Sequence, residues 1–221
     1  MDSDETEKQN RDKLIAAKQQ WARDGRLLTG EAGDPARDRV PPGQRVVTDW
    51  PVLDLGVTPK LDVEKWRLRV DGAVESRVIW DWQDFLDQPQ TTYNSDIHCV
   101  TGWSRLDNTW EGVSARHILD LVRPSAGATH CVFYSRDGYT TNVRLDRFAE
   151  DDVLLARRWQ GEDLSAEHGG PVRVIMPRWY FWKSAKWLRR IEITTEDKPG
   201  YWEVRGYHND GDPWREQRYD D

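Results

Sequence analysis

Only two cysteines and two methionines occur among the 221 residues. Two cysteines cannot form the disulfide framework on which small secreted domains depend, although a single Cys99–Cys131 bridge stays open at this level. No apolar run approaches the roughly 20 residues needed to span a bilayer. Surplus positive charge is also missing. The net charge is −7, which argues against non-specific binding to nucleic acid or to anionic membranes. The segment Met1-Asp2-Ser3-Asp4-Glu5 lacks the basic and apolar regions of a secretory signal, and no twin-arginine pair precedes an apolar stretch; the chain is expected to be cytoplasmic. What is plentiful is tryptophan, with 13 residues. A chain of this length with that aromatic content folds, despite its 32% of charged residues, as one large domain or two small ones.

Taken in order, residues 1–45 read as a polar tail, a short helix and a linker, and residues 46–221 as the main domain. The first 11 residues are polar enough to be disordered. Asp12 to Ala22 predicts a helix with Leu14, Ile15 and Trp21 roughly on one side. Thr29 to Gln44 is rich in Gly, Pro and charge and reads as a linker. Trp66 to Val70 alternates apolar and basic residues, the pattern of a strand with one buried face. Val78 to Trp80 is a second short strand, after which Asp81 caps a helix through Leu86. Ser114 caps another, with Ile118, Leu119 and Val122 inward. Thr129 to Ser135 and Tyr139 to Leu145 flank Asp137-Gly138, a hairpin signal; Cys131 falls inside the first of these strands and is expected in the core. Val153 to Ala156, Val172 to Met176 and Trp187 to Thr194 complete the strands. They arrive in hairpins, so the expected class is α+β, with mixed or antiparallel sheets and a few short helices.

Two stretches carry chemistry. Cys99 lies between His98 and the turn Val100-Thr101-Gly102-Trp103. Such a cysteine is a buried small hydrophobe, half of a disulfide, a nucleophile or a metal ligand. On a strand, His98 faces away from Cys99 and reads as a structural histidine, whereas Trp103 and Arg105 are placed to line a substrate mouth. The second stretch, 168–191, holds Arg173, Arg178, Lys183, Lys186, Arg189 and Arg190 and no acidic residue. A local positive field in an acidic protein suits a compact anion such as a phosphate ester or diphosphate. The interleaved Trp179, Tyr180, Phe181, Trp182 and Trp187 also match a nucleic-acid surface, and a solvated, Lys- and Arg-guarded strand edge is the bland alternative.

Together these stretches resemble the molybdopterin-binding domain of the sulfite oxidase family, from about Trp50 to Tyr207. The resemblance implies that family's fold and a molybdenum–molybdopterin cofactor. It assigns Cys99 as the protein thiolate on the metal, and soft sulfur ligands suit such a metal. It assigns His168 and Arg173 to the pterin phosphate and ring through a (His/Asn)-Gly-x-Pro-x-Arg motif. Ser184, Ala185 and Lys186 match a small-x-Lys triplet that completes the pocket, and Ser135 supplies one more contact. The extended segment containing Trp50, Leu53 and Asp54 is implied to lie against the pterin. Trp202-Glu203-Val204-Arg205-Gly206-Tyr207 resembles a Trp-x-x-Arg-x-Tyr stretch, in which the tyrosine reaches toward the metal's oxygen ligand.

The resemblance implies a molybdenum-dependent oxidoreductase that carries out two-electron oxo transfer with a small-molecule oxo donor or acceptor. Sulfite oxidases have an Arg-x-His triplet where this chain has Thr48-Asp49-Trp50, which counts against sulfite. No Cys-x-x-Cys-His haem motif occurs, and no further dimerisation domain is recognisable. Electrons are therefore expected to pass through a separate haem or flavin partner. The alternatives are a metal-free binding module, which would use 168–191 for an anionic ligand or nucleic acid, and a cofactor carrier without turnover.

Overall fold

A computed structural model describes residues 2–24 and 37–220. It opens on helix α1 (Asp2–Asp24), longer than the expected helix and including most of the stretch expected to be disordered. The physical reason is local: no Gly or Pro interrupts a run rich in the helix formers Glu, Lys, Gln and Ala. Residues 29–36 of the expected linker lie outside the described residues.

The remaining elements alternate strands with short helices. They are β1 (Arg45–Val47), β2 (Leu68–Gly72), β3 (Val78–Trp80), α2 (Trp82–Leu86), β4 (Gln90–Cys99), β5 (Trp103–Ser114), α3 (Ala115–Val122), β6 (His130–Ser135), β7 (Thr140–Arg144), α4 (Leu145–Phe148), β8 (Leu154–Trp159), β9 (Glu162–Asp163), β10 (Arg173–Ile175) and β11 (Leu188–Thr194). One sheet runs β1-β5-β8-β10, with β4 also paired to β5 and β9 to β8; the other runs β3-β2-β11-β6-β7. β1 lies parallel to β5, and β2 parallel to β11; the other named pairs are antiparallel. The expected α+β class with mixed sheets is the observed one.

Local chemistry sets the boundaries. Asp81 and Asp84 form a reciprocal capping box at the start of α2, and Ser114 Oγ accepts the His117 N–H at the start of α3, each satisfying donors that the helix leaves open. The β4–β5 turn closes with the Gly102 N–H on the Cys99 carbonyl at 3.0 Å. Gly102 takes φ +93°, a conformation that a side chain would strain.

Two apolar clusters divide the interior. The first gathers Trp66, Phe85, Ile118, Phe133, Phe148 and Ile191, all no more than 2% exposed; burying each such side chain contributes about 1.5–3 kcal/mol. Cys131 lies in this cluster, as expected of a core residue. The second is aromatic, with Trp50, Trp103, Trp110, Trp182, Trp202 and Tyr207, and it encloses Cys99. Both cysteines are free thiols, which removes the disulfide alternative for this conformation. Ile15 and Ala22 join α1 to the second cluster.

Candidate active site

A cleft with about 830 Å³ of space free of protein atoms, part of it open to solvent, lies at the end of β4. Every residue that the family resemblance assigned to the cofactor or the metal lines it: Trp50, Leu53, Asp54, Cys99, Ser135, His168, Arg173, Ser184, Ala185, Lys186 and Tyr207. They come from both sheets and from the loops between them, so the two-sheet arrangement is what gathers them.

At one end lies Cys99, with its Sγ 3.1 Å from Thr101 Oγ1. Burial pushes its thiol pKa up, while Thr101 and the charges of Lys18 and Arg218 act the other way. Tyr207 is 1% exposed. Its ring stacks on Trp202 at 4.8 Å and meets the edge of Trp182 at 5.0 Å. Its hydroxyl donates to the Lys18 carbonyl at 3.4 Å, and burial raises its pKa, so the phenol keeps its proton. The carboxy-terminal stretch packs back on this end: Tyr219 pairs with Tyr207, and the Arg218 guanidinium donates to the Val100 carbonyl.

His98 turns the other way. Its Nδ1 lies 2.8 Å from Ser104 Oγ. Ser104 Oγ donates to Gln44 Oε1, and Gln44 Nε2 donates to the Cys99 carbonyl at 3.1 Å. This network holds the turn on which Cys99 sits, and burial lowers the His98 pKa to about 4. His98 is thus a neutral structural histidine.

The other end is cationic. Arg173 is 2% exposed and donates to the His168 and Ser184 carbonyls at 2.7 and 2.8 Å. Its guanidinium also stands 4.3 Å from the Phe181 ring centroid and 5.3 Å from that of Trp50. It makes no salt bridge among the described residues, and burial lowers its pKa to about 9. Lys186 is lowered to about 7, by burial first and then by Arg173. Burial and the charges of Arg173 and Lys186 bring His168 to about 4. Ser135 Oγ and Arg173 Nε are buried without a hydrogen-bond partner. A buried guanidinium, a lysine and a histidine whose protonation it disfavours, and two unanswered polar atoms form a site shaped for an anion.

The basic segment is otherwise dispersed, and this corrects the expectation of a single positive field. Arg178 pairs with Asp152 at 2.6 Å, Lys183 with Glu203 at 2.6 Å and Arg190 with Asp71 at 2.8 Å. Arg189 Nε donates to the Ser135 carbonyl. Of the six basic residues only Arg173 and Lys186 line the cavity. The neutralising acids lie far away in sequence, which hid them. Arg105, expected at the mouth, instead bonds Asn108 at 2.6 Å and covers the Trp159 ring; Trp103 does line the cavity.

Residues 55–202 match the family model described as the oxidoreductase molybdopterin binding domain. The chain is 47% identical over 182 residues to the oxidoreductase YuiH of Bacillus subtilis, covering 82% of this chain and 92% of that one. The chain belongs to the molybdopterin-binding oxidoreductase family. It is also 28% identical over 155 residues to the protein-methionine-sulfoxide reductase catalytic subunit MsrP of Ralstonia nicotianae, covering 63% of this chain and 46% of that one. The sulfane dehydrogenase SoxCD of Paracoccus pantotrophus shares the fold, with a TM-score of 0.58 at 23% identity over 63% of this chain and 40% of that one. The chain therefore spans about half or less of the latter two proteins. Membership makes it a molybdopterin-dependent oxidoreductase and sets aside the metal-free binding module.

The cavity fits the family's cofactor on its own chemistry. A pterin phosphate needs cations and hydrogen-bond donors, which Arg173, His168, Lys186 and Ser135 present; a molybdenum ion needs a soft ligand, and Cys99 is the sulfur on the cavity wall. Gly169 packs against the lining residue Lys186. It takes φ +101°, and a Cβ there would lie 2.8 Å from Lys186 Cβ. Sequence reasoning missed two charged lining residues, Lys18 and Asp137. Asp137 had been absorbed into a turn signal. Lys18 had a signal of its own, as a lysine on the inward side of an amphipathic helix.

Proposed function

We propose that this molybdopterin-dependent oxidoreductase transfers one oxygen atom to or from a small molecule while two electrons move the opposite way, with Cys99 thiolate as the protein's ligand to the metal. The observation that carries the reading is a buried Arg173 guanidinium, unmatched by any acid among the described residues, in the same cavity as a buried thiol. Ser135, His168, Arg173 and Lys186 would hold the phosphate and ring of the pterin. Ser184 and Ala185 shape the wall, and Trp50, Leu53 and Asp54 lie alongside. When bound, the group supplies a two-electron metal centre at which an oxygen atom is exchanged.

The chain's own residues would do the rest. Tyr207, kept protonated by burial, would turn its one O–H from the Lys18 carbonyl to hold a proton close to a substrate oxygen at the Cys99 end. Trp103, Trp182 and Trp202 wall that end with apolar rings, which excludes water and strengthens each polar contact inside. For an oxygen-atom donor the net balance consumes two electrons and two protons and releases water; for an acceptor it runs in reverse. The electrons pass through a separate haem or flavin protein.

The test is elemental analysis of protein purified from a molybdenum-replete host, with X-ray absorption spectroscopy on wild type and Cys99→Ser. About one molybdenum per chain, a pterin released on denaturation and one fewer sulfur neighbour in the mutant are expected. Absence of molybdenum, from a host that loads other molybdoenzymes, would sink the proposal.

A further inference from the structure

Helix α1 precedes the family-matched residues 55–202, yet it contributes a wall to the cavity through Lys18. Its inward stripe consists of Leu14, Ile15, Lys18, Trp21 and Ala22, the spacing of one helical face. Four of these are apolar. Lys18 stands in the middle, 8% exposed. Placing an ammonium at a packing position costs free energy unless a partner offsets it. Among the described residues its Nζ donates to one acceptor, the main-chain carbonyl of Asp54, although an ammonium has three donors. The Asp54 carboxylate accepts the Gly56 N–H at 2.7 Å and acts on Lys18 through its charge, without a hydrogen bond between the two side chains among the described residues.

Lys18 belongs to the Cys99 end. Its own carbonyl receives the Tyr207 hydroxyl, and its charge acts on the Cys99 thiol. The other cation that acts on Cys99, Arg218, donates to the Val100 carbonyl and is not among the residues that line the cavity. Lys186 feels the charge of Lys18 as well, but its Nζ donates to the Glu167 carbonyl at 2.6 Å. Lys18 is thus the cation that both lines the cavity and acts on the Cys99 thiol, and two of its three N–H donors have no acceptor among the described residues.

We propose that Lys18 is the substrate-binding cation of this site, with its free N–H donors taking the oxygen atoms of a small oxyanion between α1 and the Cys99–Tyr207 face. The inference rests on the cofactor reading above, because the remaining anion site must be filled by the pterin phosphate. It also makes α1 a working part of the active site.

Apart from the Lys18–Asp54 contact, α1 has other attachments to the domain. The helix is held by Gln19 Nε2 donating to the Arg205 carbonyl at 3.0 Å, by Tyr219 donating to the Gln19 carbonyl, and by Ile15 and Ala22. Lys18→Met therefore removes the charge and keeps the packing, and Lys18→Arg restores a charge. The experiment titrates the molybdenum-loaded protein with sulfate, a redox-inert oxyanion, by isothermal calorimetry at constant ionic strength. Molybdenum and pterin contents are measured on each sample. Wild type and Lys18→Arg are expected to bind sulfate saturably, and Lys18→Met at least tenfold more weakly at the same metal and pterin content. An unchanged Kd in Lys18→Met, or no saturable binding by loaded wild type, overturns the role of Lys18 and leaves the cofactor reading intact. A wild-type protein without molybdenum and pterin overturns both.

Discussion

Trp50 and His168 stack face to face, with ring centroids 3.8 Å apart and planes 7° from parallel. The stack joins the extended segment before residue 55 to the loop that leads into β10, and it packs His168 against the cationic end of the cavity. A histidine held there meets two penalties on its protonated form, burial and the neighbouring charges of Arg173 and Lys186.

The first prediction is a titration. In protein free of cofactor, His168 should titrate at about 4 by NMR, well below the ordinary value of about 6.5. Between those two values the unfolded chain binds a proton that the folded chain does not. Stability therefore falls as pH drops from about 6.5 toward 4, with no further loss from this group below that. Inorganic phosphate in the cavity should raise the His168 pKa, because an anion favours the imidazolium. A His168 pKa near 6.5 that phosphate leaves unmoved would remove His168 from the anion site.

Arg173→Met separates folding from cofactor retention. The guanidinium is buried and gives up two carbonyl contacts on substitution, but the mutation also removes a buried charge without an acidic partner among the described residues. These effects oppose, and the apo protein should unfold within about 2 kcal/mol of wild type. Pterin content after purification should fall by tenfold or more. Equal pterin retention with reduced stability would make Arg173 a structural residue alone.

The Lys183–Glu203 pair tests the support behind the cavity. The two side chains are 0% and 2% exposed and 2.6 Å apart. Glu203 Oε1 also accepts from Trp182 Nε1 at 2.9 Å and from Thr141 Oγ1 at 2.8 Å, so this carboxylate orients a cavity tryptophan. Lys183→Met alone should cost roughly 3–5 kcal/mol, because it strands a buried carboxylate. Adding Glu203→Gln should recover a good part of that in denaturant melts. Equal losses in the single and double variants would contradict the coupling.

Much of this could be read from local pattern. Asp81 and Ser114 announced their helices, Asp137-Gly138 announced the β6–β7 hairpin, and the spacing of His168 and Arg173 pointed to one site. The β4–β5 hairpin was not legible as strands, because Gln90 to Asp96 is mostly polar and only Ile97 to Cys99 is buried; pairing with β5, rather than an apolar face, holds it. The parallel pairing of β2 with β11 joins residues 69 and 190, beyond any local signal. Apparent charge misled for the same reason, since Asp71, Asp152 and Glu203 neutralise a basic segment from afar. Lys18 could be read only as part of a helical face, and what that face meets is a tertiary fact.

Gly169→Ala is the sharpest steric test of the cationic end. Gly169 lies at φ +101° in the turn after His168, and an added Cβ would stand 2.8 Å from Lys186 Cβ and 2.9 Å from its Cγ. Backbone strain at a positive φ costs about 1 kcal/mol or more, and the clash must displace either the turn or Lys186. Gly169 also accepts the Trp187 N–H at 3.0 Å, so movement of the turn reaches the residue that follows Lys186. The variant should melt lower than wild type and, when folded, retain less pterin, whereas Gly138→Ala, at φ +88° with no atom within 4 Å of the added carbon, should lose stability alone. If both variants kept wild-type pterin content, the close approach of Gly169 to Lys186 would have no part in holding the cofactor.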